Sequence, residues 1–282
     1  MSALTQQWAE TFQSVFNPDG PEWLNQVRRK AGESLEQNGL PMRKDEAWKY
    51  TPMKALETMQ PAIRTLKNAH SGVEVALPAE DVIEKPDTVI DIFDGVFADC
   101  RSALNEGIVV LSLAQGLELH DEWMREAIEA VDIAGSAGAF AALNTAFLDQ
   151  GVVIVVDEGI DAGETLLRWT FSGKHDAGMH NFRVFLLLRP GARMRLAEQF
   201  IDNAEQGKAL NVMTHIELRD KANLDHIRVQ DEPDNTVLIT STRVRQSAGS
   251  HYGYAGFDLG GGLVRHHLAA ELDGPAAHAA FT

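Results

Sequence analysis

The chain is short of cysteine: Cys100 stands alone among 282 residues, so no intrachain disulfide can form and no four-thiolate metal site can be assembled from its own side chains. It has no apolar run near the roughly 20 residues that a membrane helix needs; a run such as Val184–Leu188 is strand-sized. The N-terminal residues Met1–Trp8 carry neither a basic n-region nor an apolar h-region, which argues against a signal peptide and for a cytoplasmic protein. No His-Glu-x-x-His, Cys-x-x-Cys, Gly-x-Ser-x-Gly or Gly-Lys-Ser/Thr pattern is present, so the common zinc, redox, serine-hydrolase and P-loop signatures are excluded. Excess positive charge is missing too. The net charge is −16, and all of it falls after residue 77: residues 1–77 hold nine basic and nine acidic side chains, residues 78–282 hold 16 and 32. Such a field repels nucleic acid. It suits solubility, or an acidic face for a basic protein partner.

What is present is ordinary globular material, 44% hydrophobic and 23% charged, long enough for one large or two modest domains. Leu4, Trp8, Phe12 and Val15/Phe16 recur at helical spacing. Asn17–Pro21 breaks the chain, and Trp23, Val27, Ala31 and Leu35 repeat the stripe on a second helix with Gly39 as its C-terminal cap. Residues 61–86 read as a linker. Strands are expected over Val89–Phe97 and Ile108–Leu113, and helices over Asp121–Ala134 and Ser136–Leu148, with Ser136 as the N-cap. After Gly151 the texture changes to short apolar runs every 12–15 residues, separated by turns such as Asp157-Glu158-Gly159 and Arg189-Pro190-Gly191. Strand-sized runs without intervening helices exclude a βαβ fold and leave a barrel, a sandwich or a β-solenoid with two strands per coil.

The candidate chemistry is thin. His266 and His267 are adjacent, but neighbours on a strand point to opposite faces and cannot share one ion. His215 and His226 could stack on adjacent rungs. Gly260-Gly261-Gly262 is expected to make a tight corner, and the acidic residues Asp231, Glu232 and Asp234 lie in a turn.

Specificity lies in a set of motifs. Arg43-Lys44-Asp45-Glu46-Ala47-Trp48-Lys49-Tyr50-Thr51 packs aromatics and charges into nine residues. Asn144-x-x-Phe147-x-x-x-Gly151-x-x-Ile154-x-Val156 comes next, then Arg183–Glu198 around the Arg189–Ala192 turn, Leu210–Gln230, and Gly260–Gly262 with Arg265 and Gly274. In this order, from about Leu40 to Gly274, they resemble the SufB/SufD family of iron–sulfur cluster assembly scaffold subunits, on its SufD side. The resemblance implies a mainly β fold: a right-handed parallel β-helix at 151–282, preceded by an N-terminal helical region at 1–77 and a mixed α/β entry segment at 78–150. It implies a non-catalytic scaffold of the SUF system, with a SufB-like subunit and a SufC-like ATPase as partners. With one cysteine the chain binds no cofactor alone, and an Fe–S cluster is met only transiently in the assembled complex. Arg43, Glu46, Trp48, Lys49, Tyr50, Asn144, Phe147, Gly151 and Glu198 are signature positions with structural roles. Trp48 and Tyr50 are expected to pack the N-terminal helices onto the next region of the chain, framed by Arg43, Glu46 and Lys49.

Family members continue beyond the point where this sequence stops, so a truncated C-terminal end is expected. The last rung would lie around Leu263–Leu272, poorly covered by the Ala-rich tail, and open to homodimerisation or end-to-end self-association. The alternative is a carbohydrate-active β-helix enzyme, which needs two carboxylates about 5–10 Å apart in a groove.

Overall fold

The computed structural model describes residues 3–18, 20–41, 45–51, 60–61, 81–100, 106–135, 138–171, 178–201 and 207–282. Two helices come first, α1 (Ala3–Val15) and α2 (Glu22–Asn38), then a single 3-10 turn at Glu46–Trp48. Strands β1 (Gln60–Pro61), β2 (Thr88–Phe93), β3 (Val96–Cys100) and β4 (Ile108–Ser112) precede helices α3 (Leu113–Leu119), α4 (Asp121–Glu129) and α5 (Ala139–Ala146). Ten strands come after them in unbroken alternation: β5 (Gly151–Val156), β6 (Asp161–Thr170), β7 (Gly178–Leu188), β8 (Arg193–Ile201), β9 (Ala209–Leu218), β10 (Asn223–Asp231), β11 (Val237–Gln246), β12 (His251–Asp258), β13 (Leu263–Leu272) and β14 (His278–Phe281).

Odd and even strands fall into separate sheets. The first runs β13-β11-β9-β7-β5-β4, with β1 beside β7; the second runs β14-β12-β10-β8-β6-β2-β3. Among β5–β14 every pairing is parallel, so the chain winds as a β-solenoid of about four coils, each contributing one strand to each sheet. Met179 lies beside Ala209, Ala209 beside Val237 and Val237 beside Leu263, so a coil takes 30, then 28, then 26 residues. That is twice the spacing of the apolar runs in the sequence. Matching corners stack: Gly191 N–H donates to Asp220 O (2.8 Å), Lys221 N–H to Ala248 O (2.9 Å) and Gly249 N–H to Pro275 O (2.9 Å). Gly191 and Gly249 hold φ of 70° and 66° there, and Lys221 takes the same left-handed conformation at 59°.

Burial explains the texture of the strands. Over β5, β7 and β9 the first sheet is covered on both faces, by the second sheet inside and by the helices outside, and these strands are buried at every position. The second sheet turns its outer face to solvent, and β10 alternates buried with more exposed residues. The interior holds Ile90, Val152, Trp169, Phe182, Leu196, Phe200, Val212 and Leu224. On the outer face of the first sheet, Leu113, Leu117, Met124 and Ile128 of α3 and α4 cover Val153, Val155, Phe185 and Leu187. Further along, Trp8 and Phe12 of α1, Leu35 of α2 and Leu143 of α5 cover Met179, Ala209, Val237 and Leu263.

Some boundaries differ from the sequence reading. The helix expected over Asp121–Ala134 stops at Glu129, because Asp132 Oδ1 accepts the Ala134 N–H (2.9 Å) in a side-chain turn and Gly135 comes next at φ 62°. Helix α5 starts at Ala139; Ser136 lies outside the described residues, as do 62–80 of the expected linker. Helix α3 was not expected. Ser112 and Gln115 cap it reciprocally, Gln115 N–H to Ser112 Oγ (3.3 Å) and Ser112 N–H to Gln115 Oε1 (3.0 Å). Strands β2, β3 and β4 of the entry segment are members of the two sheets rather than a separate unit, and β3 and β4, both antiparallel to their neighbours, end the sheets on that side. At the other end the tail is not a bare extension. Residues His278–Phe281 add β14 beside β12, because β12 offers free main-chain groups that an extended segment can pair with.

Candidate functional site

Of the signature residues, Trp48, Asn144 and Phe147 gather between the helical layer and the first sheet. The 3-10 turn, closed by Trp48 N–H to Asp45 O (2.8 Å), drives the indole inward until it is 5% exposed. It stacks on Phe140 of α5 with ring centroids 5.0 Å apart, and the Arg265 guanidinium of β13 lies 4.0 Å from the ring centroid on a distant coil. One side chain thus joins three parts of the chain far apart in sequence. Tyr50 does not share this role: it is 87% exposed, with the Lys49 ammonium 5.4 Å from its ring centroid. The tight turn that sends residue 48 inward leaves residue 50 facing water, which corrects the expectation that both aromatics pack. Glu46 and Lys49 are exposed, and Arg43 lies outside the described residues. Beside Trp48 a groove of about 580 Å³ runs over the outer face of the sheet, lined by Phe140, Met213, Ser241, Arg265 and His267 among others.

Below it, Asn144 works as a clamp. It is fully buried, donates from Nδ2 to Phe182 O (3.2 Å) and Asn211 O (2.7 Å), and accepts at Oδ1 from Arg183 Nε (2.8 Å). Asn211 returns the contact, donating to Phe140 O (2.8 Å) and Asn181 Oδ1 (2.8 Å). Helix α5 is therefore fixed to β7 and β9 by side-chain amides that satisfy main-chain carbonyls. Arg183 is 0% exposed; Nη2 reaches Thr145 Oγ1 and Met213 Sδ, among the described residues it has no carboxylate partner and Nη1 has no partner, and burial alone pushes the guanidinium down to about 9. Phe147 packs edge-on against Phe12 at 5.6 Å. A Cβ at Gly151 would sit 2.7 Å from Arg183 O, so only glycine lets β5 start this close to β7.

The second assembly lies inside the solenoid. Inward positions stack from coil to coil, and around Glu198 the stack turns polar. Tyr252, its hydroxyl pushed up by burial and then by the Glu198 charge, stays protonated and donates to His226 Nδ1 (3.0 Å); His226 then donates from Nε2 to Glu198 Oε2 (3.1 Å). Glu198, His226 and Tyr252 are each at most 3% exposed, and Glu198 Oε1 has no partner among the described residues. One coil on, Arg228 donates to Asp258 (2.9 Å) and to His266 Nδ1, where Thr240 Oγ1 also bonds, and His266 Nε2 faces Asp258 Oδ1 (3.2 Å). Burial first, then the Arg228 charge, pushes His266 down to about 4, so it is neutral at pH 7.

The remaining candidates separate. His266 points into the solenoid and His267 lines the outer groove. His215 and His226 do not stack: His215 faces outward from the first sheet, ring centroid 5.1 Å from Phe185, while His226 faces inward from the second. Consecutive strands belong to different sheets, which the spacing alone concealed. Cys100 ends β3 and packs, half-buried, against the interior. Ser250 Oγ donates to Ser247 O (2.7 Å) as a turn staple. The triple glycine forms the β12–β13 corner, where a Cβ at Gly262 would lie 2.1 Å from Asp234 O. Glu232 of the acidic turn pairs with Lys208 at 2.7 Å. No described helix is long and apolar enough to cross a membrane. Sequence reasoning missed Arg183 and Asn211 as partners of Asn144; polar residues inside otherwise apolar strand runs were the available signal.

Fold and site together define a helix-backed parallel β-solenoid in which Trp48, Asn144 and Phe147 bind the helical layer to the coils. Two family models divide the chain between them: the SufBD protein N-terminal region matches residues 3–166, and the SUF system FeS cluster assembly SufBD core domain matches residues 171–282. The chain belongs to the SufBD family. It is 26% identical over 281 residues to protein ABCI7, chloroplastic, of Arabidopsis thaliana, covering 95% of this chain and 58% of that protein. It is 24% identical over 285 residues to the iron-sulfur cluster assembly protein SufD of Escherichia coli (strain K12), covering 97% and 60%. The chain thus spans about 60% of the length of these curated relatives.

Proposed function

We propose that this chain is a non-catalytic scaffold component of iron–sulfur cluster assembly, working with a SufB-like subunit and a SufC-like ATPase, and that a cluster is cargo of the complex rather than a resident cofactor of this chain. The observation that carries the reading is the family match along nearly the whole chain, from residue 3 to residue 282. The placement of the signature side chains agrees with it: Trp48, Asn144, Phe147 and Glu198 hold helices and coils together. No specific observation favours a carbohydrate-active enzyme.

The test is co-expression of this chain with SufB-like and SufC-like proteins from the same organism, with an affinity tag on this chain. Recovery of a stable complex in fixed stoichiometry supports the scaffold role. If neither protein is retained while this chain is folded by circular dichroism, the reading fails. Light scattering on the chain alone separates partner binding from self-association through β13 and β14.

A further inference from the structure

Along the solvent face of the second sheet, one row of side chains runs Arg193, Asn223, His251, His278 over four coils. Its last two members form an imidazole pair. The Nδ1 atoms of His251 and His278 are 3.2 Å apart and hydrogen-bonded, the ring planes lie within 7° of each other, and the centroids are 5.1 Å apart. His251 is half-buried and His278 exposed. We propose that His251 and His278 form a two-imidazole site for a divalent first-row transition-metal ion of the Zn²⁺, Ni²⁺ or Cu²⁺ kind, bridging β12 and β14.

The geometry carries the proposal. Two imidazole nitrogens each about 2.05 Å from a zinc ion and 3.2 Å from each other subtend about 103° at the metal, close to the tetrahedral angle. The parallel pairing of His251 with His278 fixes both Cα positions, so few torsions remain to be ordered when an ion binds. Imidazole suits these ions and discriminates against Mg²⁺ and Ca²⁺, which take oxygen ligands.

The surroundings fit as well. Gly253 is paired with Asp225, and a Cβ built on it would lie 3.0 Å from Asp225 Oδ1 and 3.6 Å from His251 Nε2. The missing side chain leaves open the space between the Asp225 carboxylate and the Nε2 side of His251. An acceptor in that space, water or the carboxylate itself, favours the Nε2–H tautomer that leaves Nδ1 as a ligand. In the free protein one Nδ1–H donates to the other ring; on binding, that proton moves to Nε2 and both Nδ1 lone pairs face the ion. Among the described residues no group of three His, Cys, Asp or Glu side chains is placed to hold an ion, so water fills the remaining positions. The proposal is independent of the scaffold reading.

Metal-stripped protein titrated with Zn²⁺ in a non-coordinating buffer at pH 7.5 should bind one ion per chain with a dissociation constant in the micromolar range. His251→Ala and His278→Ala should each weaken binding about tenfold or more. His267→Ala, on the other sheet, should leave it unchanged. With Cu²⁺ as probe, electron paramagnetic resonance should show two coordinated imidazole nitrogens in the parent protein and one in each single variant. Exchange of the β14 amides should slow when Zn²⁺ is added to the parent protein only. Both variants are read by circular dichroism first; His278 is exposed on an end strand, so its loss leaves the fold intact. If both folded variants bind Zn²⁺ as the parent does, or if the Cu²⁺ spectrum shows no paired imidazoles, the site does not exist.

Discussion

Replacing Asn144 by Leu removes an amide of similar size from a position that is fully buried and makes three hydrogen bonds. Two of them satisfy the carbonyls of Phe182 and Asn211, worth about 1 kcal/mol each; the third is charge-assisted, to Arg183, and worth about 1.5–3 kcal/mol. The single variant should therefore lose about 3–5 kcal/mol, a large share of the about 5–15 kcal/mol that holds a typical domain together. Arg183→Met behaves differently. It strips Asn144 Oδ1 of a donor, but it also removes a guanidinium buried without a carboxylate, so its cost should stay within about 1 kcal/mol. In the double variant the stranded cation is gone, and the loss should fall about 2 kcal/mol short of the sum of the single variants. Urea unfolding monitored by tryptophan fluorescence reads this directly, provided the m-value is unchanged across the four proteins. Additive losses, with a coupling below about 0.5 kcal/mol, would show that Arg183 does not depend on Asn144 and that the clamp reasoning is wrong.

Trp48→Ala should cost about 3–5 kcal/mol, since a buried indole between Phe140 and Arg265 leaves a cavity, whereas Tyr50→Ala should stay within about 0.5 kcal/mol; equal effects in chemical denaturation would refute the division of roles. Acid should weaken the protein through His266. Its folded pKa of about 4 lies below the unfolded value of about 6.5, so the unfolded chain binds a proton that the folded chain refuses, and stability present above about pH 6.5 is lost as pH falls toward 4, by up to about 3 kcal/mol. His266→Asn should flatten that part of the profile between pH 7.5 and 4.5, and an unchanged pH dependence would show that the imidazole is not held neutral.

Much of the architecture was legible because solenoid physics is local. Apolar runs at half the coil length, turns between them and no helices after Gly151 limited the answer to three all-β folds, and only the family resemblance chose among them. The capping pair Ser112 and Gln115 was equally visible, yet α3 went unread because Ile108–Leu113 looked like a strand and the strand ends one residue before the helix begins. The side-chain partnerships could not be read at all. Asn144 and Asn211 are 67 residues apart and Trp48 and Arg265 more than 200, distances that only the winding of the coils closes.

The same winding explains why the interior polar residues form a chain along the axis rather than a cluster. In a stack of coils an inward side chain has neighbours on the preceding and succeeding coils and across the narrow interior, and almost nowhere else. A carboxylate placed inward at Glu198 must find its partner on the next coil, which is His226, and His226 must find its own on the coil after that, which is Tyr252. Arg228 repeats the rule with Asp258 on the next coil and His266 across the interior. Each polar residue thus commits its neighbour to be polar, and a one-coil slip in register would strand every member at about 1–3 kcal/mol apiece. The interior network is therefore best understood as what fixes the order of the later coils, where the bulky apolar layers of Trp169, Phe182 and Phe200 no longer reach.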